Sequence, residues 1–209
     1  MKSGKLITIE GIEGAGKTTC LSAIAQQLTA HGITVCQTRE PGGTPLGETL
    51  REVLLSHRYA ETTAQAELLL LFAARTEHIQ QRIRPTLATG HWVLCDRFTD
   101  ASYAYQGAGR GLSKQQIQTL TTMVQQDLQP DLTILLDLPA HIGLQRARKR
   151  SAPDRFETET LQFFERVRAG YLALAQQEPD RIALIDATQP LNQVTQAVHQ
   201  AIQTVLPKR

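Results

Sequence analysis

Five short runs of apolar, β-favouring residues punctuate the chain, at residues 6–10, 33–38, 92–95, 132–137 and 182–186. Their near-continuous apolar character predicts strands covered on both faces, as in a parallel sheet. Between them, apolar residues recur at three- and four-residue spacing. Leu21, Ile24, Ala25 and Leu28 do so after the first run, and Leu68, Leu71, Phe72, Ile79 and Ile83 form a longer stripe. The spacing predicts helices over about residues 17–31, 45–56, 62–89, 113–128, 139–150, 157–177 and 190–206. Pro139 and Pro190 fall where a first helical turn accepts proline. Alternation of strand and helix predicts a doubly wound α/β architecture. No repeat, low-complexity tract or long linker interrupts the 209 residues, so one domain is expected.

Composition narrows this picture only slightly. A chain of this size buries roughly 70% of its unfolded surface and needs no staple to build a core. The net charge of +2 is too small to imply binding to nucleic acid or to an anionic membrane. Cys20, Cys36 and Cys95 are scattered without C-x-x-C spacing, as expected of reduced thiols rather than a disulfide frame or zinc site. The apolar run before Glu10 is too short for a signal peptide, and none reaches membrane-spanning length. A soluble, cytoplasmic protein is expected.

Chemistry enters at Gly11-Ile12-Glu13-Gly14-Ala15-Gly16-Lys17-Thr18, which fits the phosphate-binding pattern G-x-x-x-x-G-K-[ST]. A predicted strand precedes it and a predicted helix follows, the context in which such a match carries weight. The glycines let successive amides turn inward onto phosphate oxygens, and the helix N-terminus adds partial positive charge. Lys17 would reach the β- and γ-phosphates of a nucleoside triphosphate, and the Thr18 hydroxyl would ligate Mg²⁺. The expected ATP-binding set is Gly11, Ile12, Glu13, Gly14, Ala15, Gly16, Lys17, Thr18 and Thr19, with Arg146.

In parallel α/β sheets ligands sit beyond the carboxyl ends of the strands. Those ends carry Arg39 and Glu40, then Asp96 and Arg97, then Asp137, then Asp186 to Pro190. Asp96 suits a strand-end carboxylate that orders Mg²⁺, directly or through water. Asp137 ends an equally apolar run, and spacing alone does not choose between them. On the long helix Arg75 interrupts the apolar stripe, so it needs an anionic or polar partner or must snorkel. Phe72 lies three residues earlier on the same face, and a ring beside a forked donor suits a nucleobase. Ser102, Tyr105 and Gln106 fall in a polar, glycine-rich segment expected to be a loop lining the site. Arg146, Arg148, Lys149, Arg150 and Arg155 surround Pro153, as expected of a basic lid over about residues 146–156.

Three classes of phosphate-loop protein compete. A GTPase needs an Asn-Lys-x-Asp guanine reader, and the one asparagine, Asn192, is followed by Gln193. A nucleic-acid motor or recombinase would be larger and more basic, with a glutamate beside its strand-end aspartate. A small-molecule or nucleotide kinase accounts for the short chain, the basic lid and the Phe72/Arg75 pair. A kinase for another nucleoside monophosphate or a deoxynucleoside stays open on these residues alone.

Taken in order, the phosphate loop, Thr38-Arg39-Glu40-Pro41-Gly42-Gly43-Thr44, Phe72-Ala73-Ala74-Arg75, Asp96-Arg97-Phe98, Ala104-Tyr105-Gln106-Gly107 and Arg110-Gly111 resemble the thymidylate kinase (dTMP kinase) family. The similarity runs from about Leu6 into the final helix. It implies ATP + dTMP → ADP + dTDP, with Mg²⁺, on a five-stranded parallel sheet of order 2-3-1-4-5 in a homodimer. It also implies Glu13 near the sugar 3′-hydroxyl, Arg39 and Arg97 on the acceptor phosphate, and Arg75 on a thymine carbonyl. Ser102 and Gln106 would contact the base, Tyr105 would crowd out a 2′-hydroxyl, and residues 187–190 would meet adenine. Gly14 inside the phosphate loop, with a basic lid, matches the family's bacterial type, in which the lid supplies the catalytic arginine. Arg150 is that residue and Arg155 the second candidate, beside Lys17 and Arg97 in the catalytic set. Many relatives place the stacking aromatic four residues before the base-reading arginine, where this chain has Leu71. A small rotation of the helix would let Phe72 take that role.

Overall fold

Every residue of the first predicted strand is fully buried, as its unbroken apolar run requires. The computed structural model describes residues 4–149 and 154–207. The strands are β1 (Leu6–Glu10), β2 (Val35–Arg39), β3 (Trp92–Asp96), β4 (Leu132–Asp137) and β5 (Ile182–Asp186). They form one parallel sheet of order β2-β3-β1-β4-β5, the order expected. The register sets Ile9 beside Asp96 and Arg39 beside Asp96, so the ends of β1, β2 and β3 open onto one rim.

The helices are α1 (Lys17–Ala30), α2 (Pro45–Leu55), α3 (Ala64–His78), α4 (Arg84–Ala88), α5 (Thr99–Ser102), α6 (Lys114–Gln125), α7 (Ala140–Arg148), α8 (Leu161–Gln177) and α9 (Leu191–Gln203). Their starts follow from local chemistry. Thr44 accepts the Gly47 amide at 3.0 Å and Pro45 fills the first position of α2. Thr63 and Thr160 cap α3 and α8 in the same way, and Ser113 with Gln116 makes a reciprocal box at α6. The long predicted helix is real but not uniform. A π-helical turn at Ile79–Ile83 joins α3 to α4, two residues before Pro85, whose missing amide cannot continue an α-helical ladder.

Helices cover both sheet faces. On one, Ile7, Ile9 and Ile134 pack with Ile24 and Leu28 of α1, Phe164 of α8 and Val198 and Ile202 of α9. On the other, Leu6, Val93 and Cys95 pack with Leu68 and Phe72 of α3 and Ile117 of α6. Among the described residues no helix is long and apolar enough to cross a membrane.

The segment expected to be a loop is instead helical. α5 runs directly into a π-helical stretch, Tyr103–Gly109. Its small residues allow this by close approach to α8. A Cβ on Gly170 would come within 2.7 Å of the Ala108 side chain, and one on Gly109 within 2.7 Å of the Phe163 ring.

Candidate active site

The loop between β1 and α1 turns back on itself through left-handed glycines. At Gly14, φ is +72° and an added Cβ would lie 2.1 Å from the Gly143 carbonyl oxygen of α7. No side chain fits there, so any catalytic cation must come from elsewhere. Ile12 and Ala15 anchor the loop in the core, while Glu13, Gly14, Gly16, Lys17, Thr18 and Thr19 face a cavity of about 570 Å³. Gly11, also buried, lends its backbone: Lys17 Nζ donates to the Gly11 and Ile12 carbonyls, both at 3.1 Å. Burial, then the nearby Arg97 charge, lowers the Lys17 pKa to about 8 against the opposing pull of Asp96, Glu13 and Glu10. Arg146 of α7 lines the same cavity and donates to the Ala187 carbonyl at 3.0 Å, tying it to the loop after β5.

Asp96 and Asp137, indistinguishable by spacing, have separate fates. Asp137 is held in a two-pronged ion pair with Arg168, at 2.7 and 2.8 Å. Asp96 faces the cavity, and its Oδ1 is buried with no hydrogen-bond partner. An orphaned carboxylate oxygen in the cavity that Thr18 also lines fits Mg²⁺, which takes few protein ligands and completes its shell with phosphate oxygens and water.

Arg97 follows at once, with a left-handed backbone (φ +67°) unusual for any residue but glycine. Its Nη2 donates to Glu13 Oε1 and to the Tyr105 hydroxyl, both at 2.9 Å, and its Nη1 to the Tyr171 hydroxyl at 3.1 Å. Burial works against the Arg97 charge, but Tyr105, Tyr171, Glu13 and Glu10 more than offset it and hold its pKa well above the ordinary value. Tyr105 also donates to Glu13. Behind this group lies Glu10, fully buried, its pKa pushed up to about 7 by burial and then by Asp100, against Arg97, Tyr171 and the Phe98 amide.

Arg75 meets the requirement placed on it. It is 2% exposed, and Nε donates to Glu40 Oε2 at 2.7 Å, Nη1 to Ser102 Oγ at 3.1 Å and Nη2 to the Phe98 carbonyl at 3.1 Å. Three of its five N–H groups are thus used, and two are left for a ligand. His78 donates to Glu40 Oε1 at 3.0 Å and pairs through Nε2 with Thr38 Oγ1 at 2.7 Å. Burial would raise the Glu40 pKa, yet Arg75 and His78 together lower it. Ser102 and Gln106 reach the cavity wall beside Arg75, with Gln106 donating to Glu67 at 2.9 Å.

Three expected site residues stand elsewhere. Phe72 is buried in the second core, where its ring supports the Arg75 guanidinium at 4.6 Å. The residue of that turn facing the cavity is Leu71. In the α-helical phase of α3, Leu71 faces the cavity and Phe72 the core. Arg39 leaves the edge strand outward, exposed, and pairs with Glu48 of α2 at 2.8 Å rather than walling the cavity. Arg155 is 5% exposed and donates to Glu67 Oε2 at 2.6 Å and to the Leu54 carbonyl at 2.8 Å, so it is a buried anchor and does not line the cavity. Arg150 lies outside the described residues.

Sequence reasoning missed Arg51, which lines the cavity from α2 and donates to the Pro41 carbonyl at 3.0 Å. Nothing marked it, because a polar residue on a surface helix reads the same whether it meets solvent or a ligand. Glu10 and Tyr171 were missed as well. Glu10 did carry a signal, a carboxylate ending an apolar strand just as Asp96 does.

A phosphate loop sharing one cavity with Arg51, Arg75 and Arg97 and with Ser102 and Gln106 is the site of a phosphate-loop nucleoside monophosphate kinase. Comparison with known proteins refines this. Residues 9–198 match the family model for thymidylate kinase. The chain is 54% identical over 204 residues to the thymidylate kinase of Teredinibacter turnerae, covering 98% of this chain and 100% of that protein. It is 53% identical over 206 residues to that of Methylococcus capsulatus, covering 99% and 98%. The crystal structure of thymidylate kinase from Ehrlichia chaffeensis superposes with a TM-score of 0.78 at 33% identity, covering 96% of this chain and 99% of that one. The chain belongs to the thymidylate kinase family.

Proposed function

We propose that the protein transfers the γ-phosphoryl group of ATP to dTMP, giving ADP and dTDP. The observation that carries this is one cavity bordered by the phosphate loop at Gly14 and Gly16–Thr19, by Arg97 and Arg51, and by Arg75, Ser102 and Gln106. The loop amides and Lys17 hold the triphosphate of ATP. Arg97 and Arg51 hold the acceptor phosphate, already an anion and in need of no strong base. The two unused N–H groups of Arg75 meet a thymine carbonyl, with Ser102 and Gln106 beside the ring. Glu13 faces the sugar near its 3′-hydroxyl, and Tyr105 occupies the space a 2′-hydroxyl would need.

Phosphoryl transfer of this kind depends on positioning and charge stabilisation more than on covalent help. Thr18 and Asp96 would hold Mg²⁺, which when bound would supply neutralising charge to the phosphates. Lys17 and Arg97 add theirs from fixed positions, and a lid over residues 146–156 excludes water as a competing acceptor. The homodimer belongs to the same proposal. Leu69 of α3 and Met123 of α6, exposed at 58% and 67%, are apolar positions it would cover.

A coupled ADP-release assay across nucleoside monophosphates, with and without DNA, tests the assignment. dTMP should give the highest kcat/KM with no stimulation by DNA. Preference for another monophosphate, or turnover only with DNA, contradicts it.

A further inference from the structure

We propose that Glu10 is a positioning residue for Arg97, fixing its backbone and its guanidinium at once. The proposal rests on Arg97 holding the acceptor phosphate. Glu10 is the last residue of β1 and is fully buried. Its Oε1 accepts the Phe98 amide at 2.7 Å, which pins the peptide just after the left-handed Arg97. Its Oε2 accepts the Tyr171 hydroxyl at 2.7 Å, and the Tyr171 oxygen in turn accepts Arg97 Nη1 at 3.1 Å. The two oxygens of one carboxylate thus set the main chain and, through a phenol, the side chain of the same arginine.

The other supports of Arg97 each act on one part of it. Its amide donates to the Ile9 carbonyl at 3.0 Å, and the Cys95 thiol donates to its carbonyl at 3.0 Å. On the guanidinium, Nη2 donates to Glu13 and to Tyr105, both at 2.9 Å, but none of these contacts joins main chain and guanidinium as the Glu10–Tyr171 link does. Left-handed geometry at a non-glycine residue persists only where its surroundings over-determine it. Packing stability alone does not account for Glu10. A buried carboxylate bonded to two neutral donors costs stability, and an apolar residue would avoid that cost. What its oxygens supply is geometry. Tyr171 stands on α8, so the same link ties the helix after the lid to the end of the first strand.

Steady-state kinetics of E10Q, Y171F, R97A and E10Q/R97A in the full chain test this as a double-mutant cycle. E10Q is expected to lower kcat/KM for dTMP about tenfold or more, with KM for ATP within about twofold of the parent. On the R97A background the same substitution should change kcat/KM by less than about twofold, because its target is gone. Y171F keeps the ring and should show the same pattern at smaller size; it carries the cycle if E10Q does not fold. Normal dTMP kinetics in E10Q, an equal loss in both backgrounds, or an equal rise in KM for ATP would overturn the role of Glu10 alone. If instead R97A leaves dTMP kinetics unchanged, the acceptor-phosphate role of Arg97 fails and the proposal falls with it.

Discussion

Arg75 is a buried charge with a structural role, to which the proposed function adds recognition of the base. Three of its donors are committed to Glu40, Ser102 and Phe98, and its planar face lies over the Phe72 ring. Arg75→Ala should raise KM for dTMP about 10- to 100-fold, the equivalent of one charge-assisted hydrogen bond, with little change for ATP. It should also destabilise the fold by about 3–5 kcal/mol, because Glu40 is left buried without its guanidinium. The reverse kinetic pattern would refute base recognition by Arg75. Tyr105 separates in the same spirit. Tyr105→Ala should relax discrimination between dTMP and its ribonucleotide counterpart. Tyr105→Phe keeps the ring and the selectivity but releases Glu13 and Arg97, lowering kcat. Equal selectivity in the alanine variant would count against the steric account. Glu10 gives a pH signature. The charged or titratable groups acting on it or feeling its charge are Asp100, Arg97, Tyr171, Lys17 and Cys95. Its pKa is about 7 when folded against an ordinary 4.5, so the folded state binds the extra proton. Stability from this group is full below about pH 4.5 and is lost as pH rises through about 7. Urea unfolding at pH 5 and pH 8 should therefore shift in favour of Glu10→Gln as pH rises. Parallel pH dependence in the two proteins would contradict the buried carboxylate.

At the scale of elements, periodicity found what packing confirms, and failed where close packing overrode local preference. The strands at residues 6–10, 132–137 and 182–186 were legible because each is a bounded apolar run, whereas the first residues read into β2 fall outside its ladder. The stretch at Tyr103–Gly109 read as a loop because of its glycines, yet those small residues are what let it wind against α8. The phosphate loop was legible because its chemistry is local. Arg51, Glu10 and Tyr171 were not, since each matters only through partners brought from distant segments. The fate of Arg155 is of the same kind: Glu67, on α3, draws in Gln106, Arg110 and Arg155 together. The packing claim is testable at Gly170. Gly170→Leu should drive α8 away from Ala104 and Ala108, costing about 1–3 kcal/mol and displacing Tyr105 and Gln106. A lowered melting temperature with raised KM for dTMP is the expected result. Unaltered kinetics at equal stability would mean that the site does not depend on this contact.

For the whole molecule, strand order decides where chemistry can occur. Placing β1 between β3 and β4 sets the phosphate loop beside Asp96 and Arg97, and adjacent β2 delivers Glu40 and Pro41 to the same rim. One cavity therefore lies across neighbouring strand ends, walled by α2, α3 and α5 on the side that the proposal gives to the acceptor. The most direct test is a crystal structure with dTMP and a non-hydrolysable ATP analogue. The thymine should lie at Arg75, Ser102 and Gln106, with its 5′-phosphate at Arg97 and Arg51, facing a triphosphate cradled by residues 14–19. A dTMP bound outside this cavity, or with its phosphate turned toward Arg75, would contradict the account.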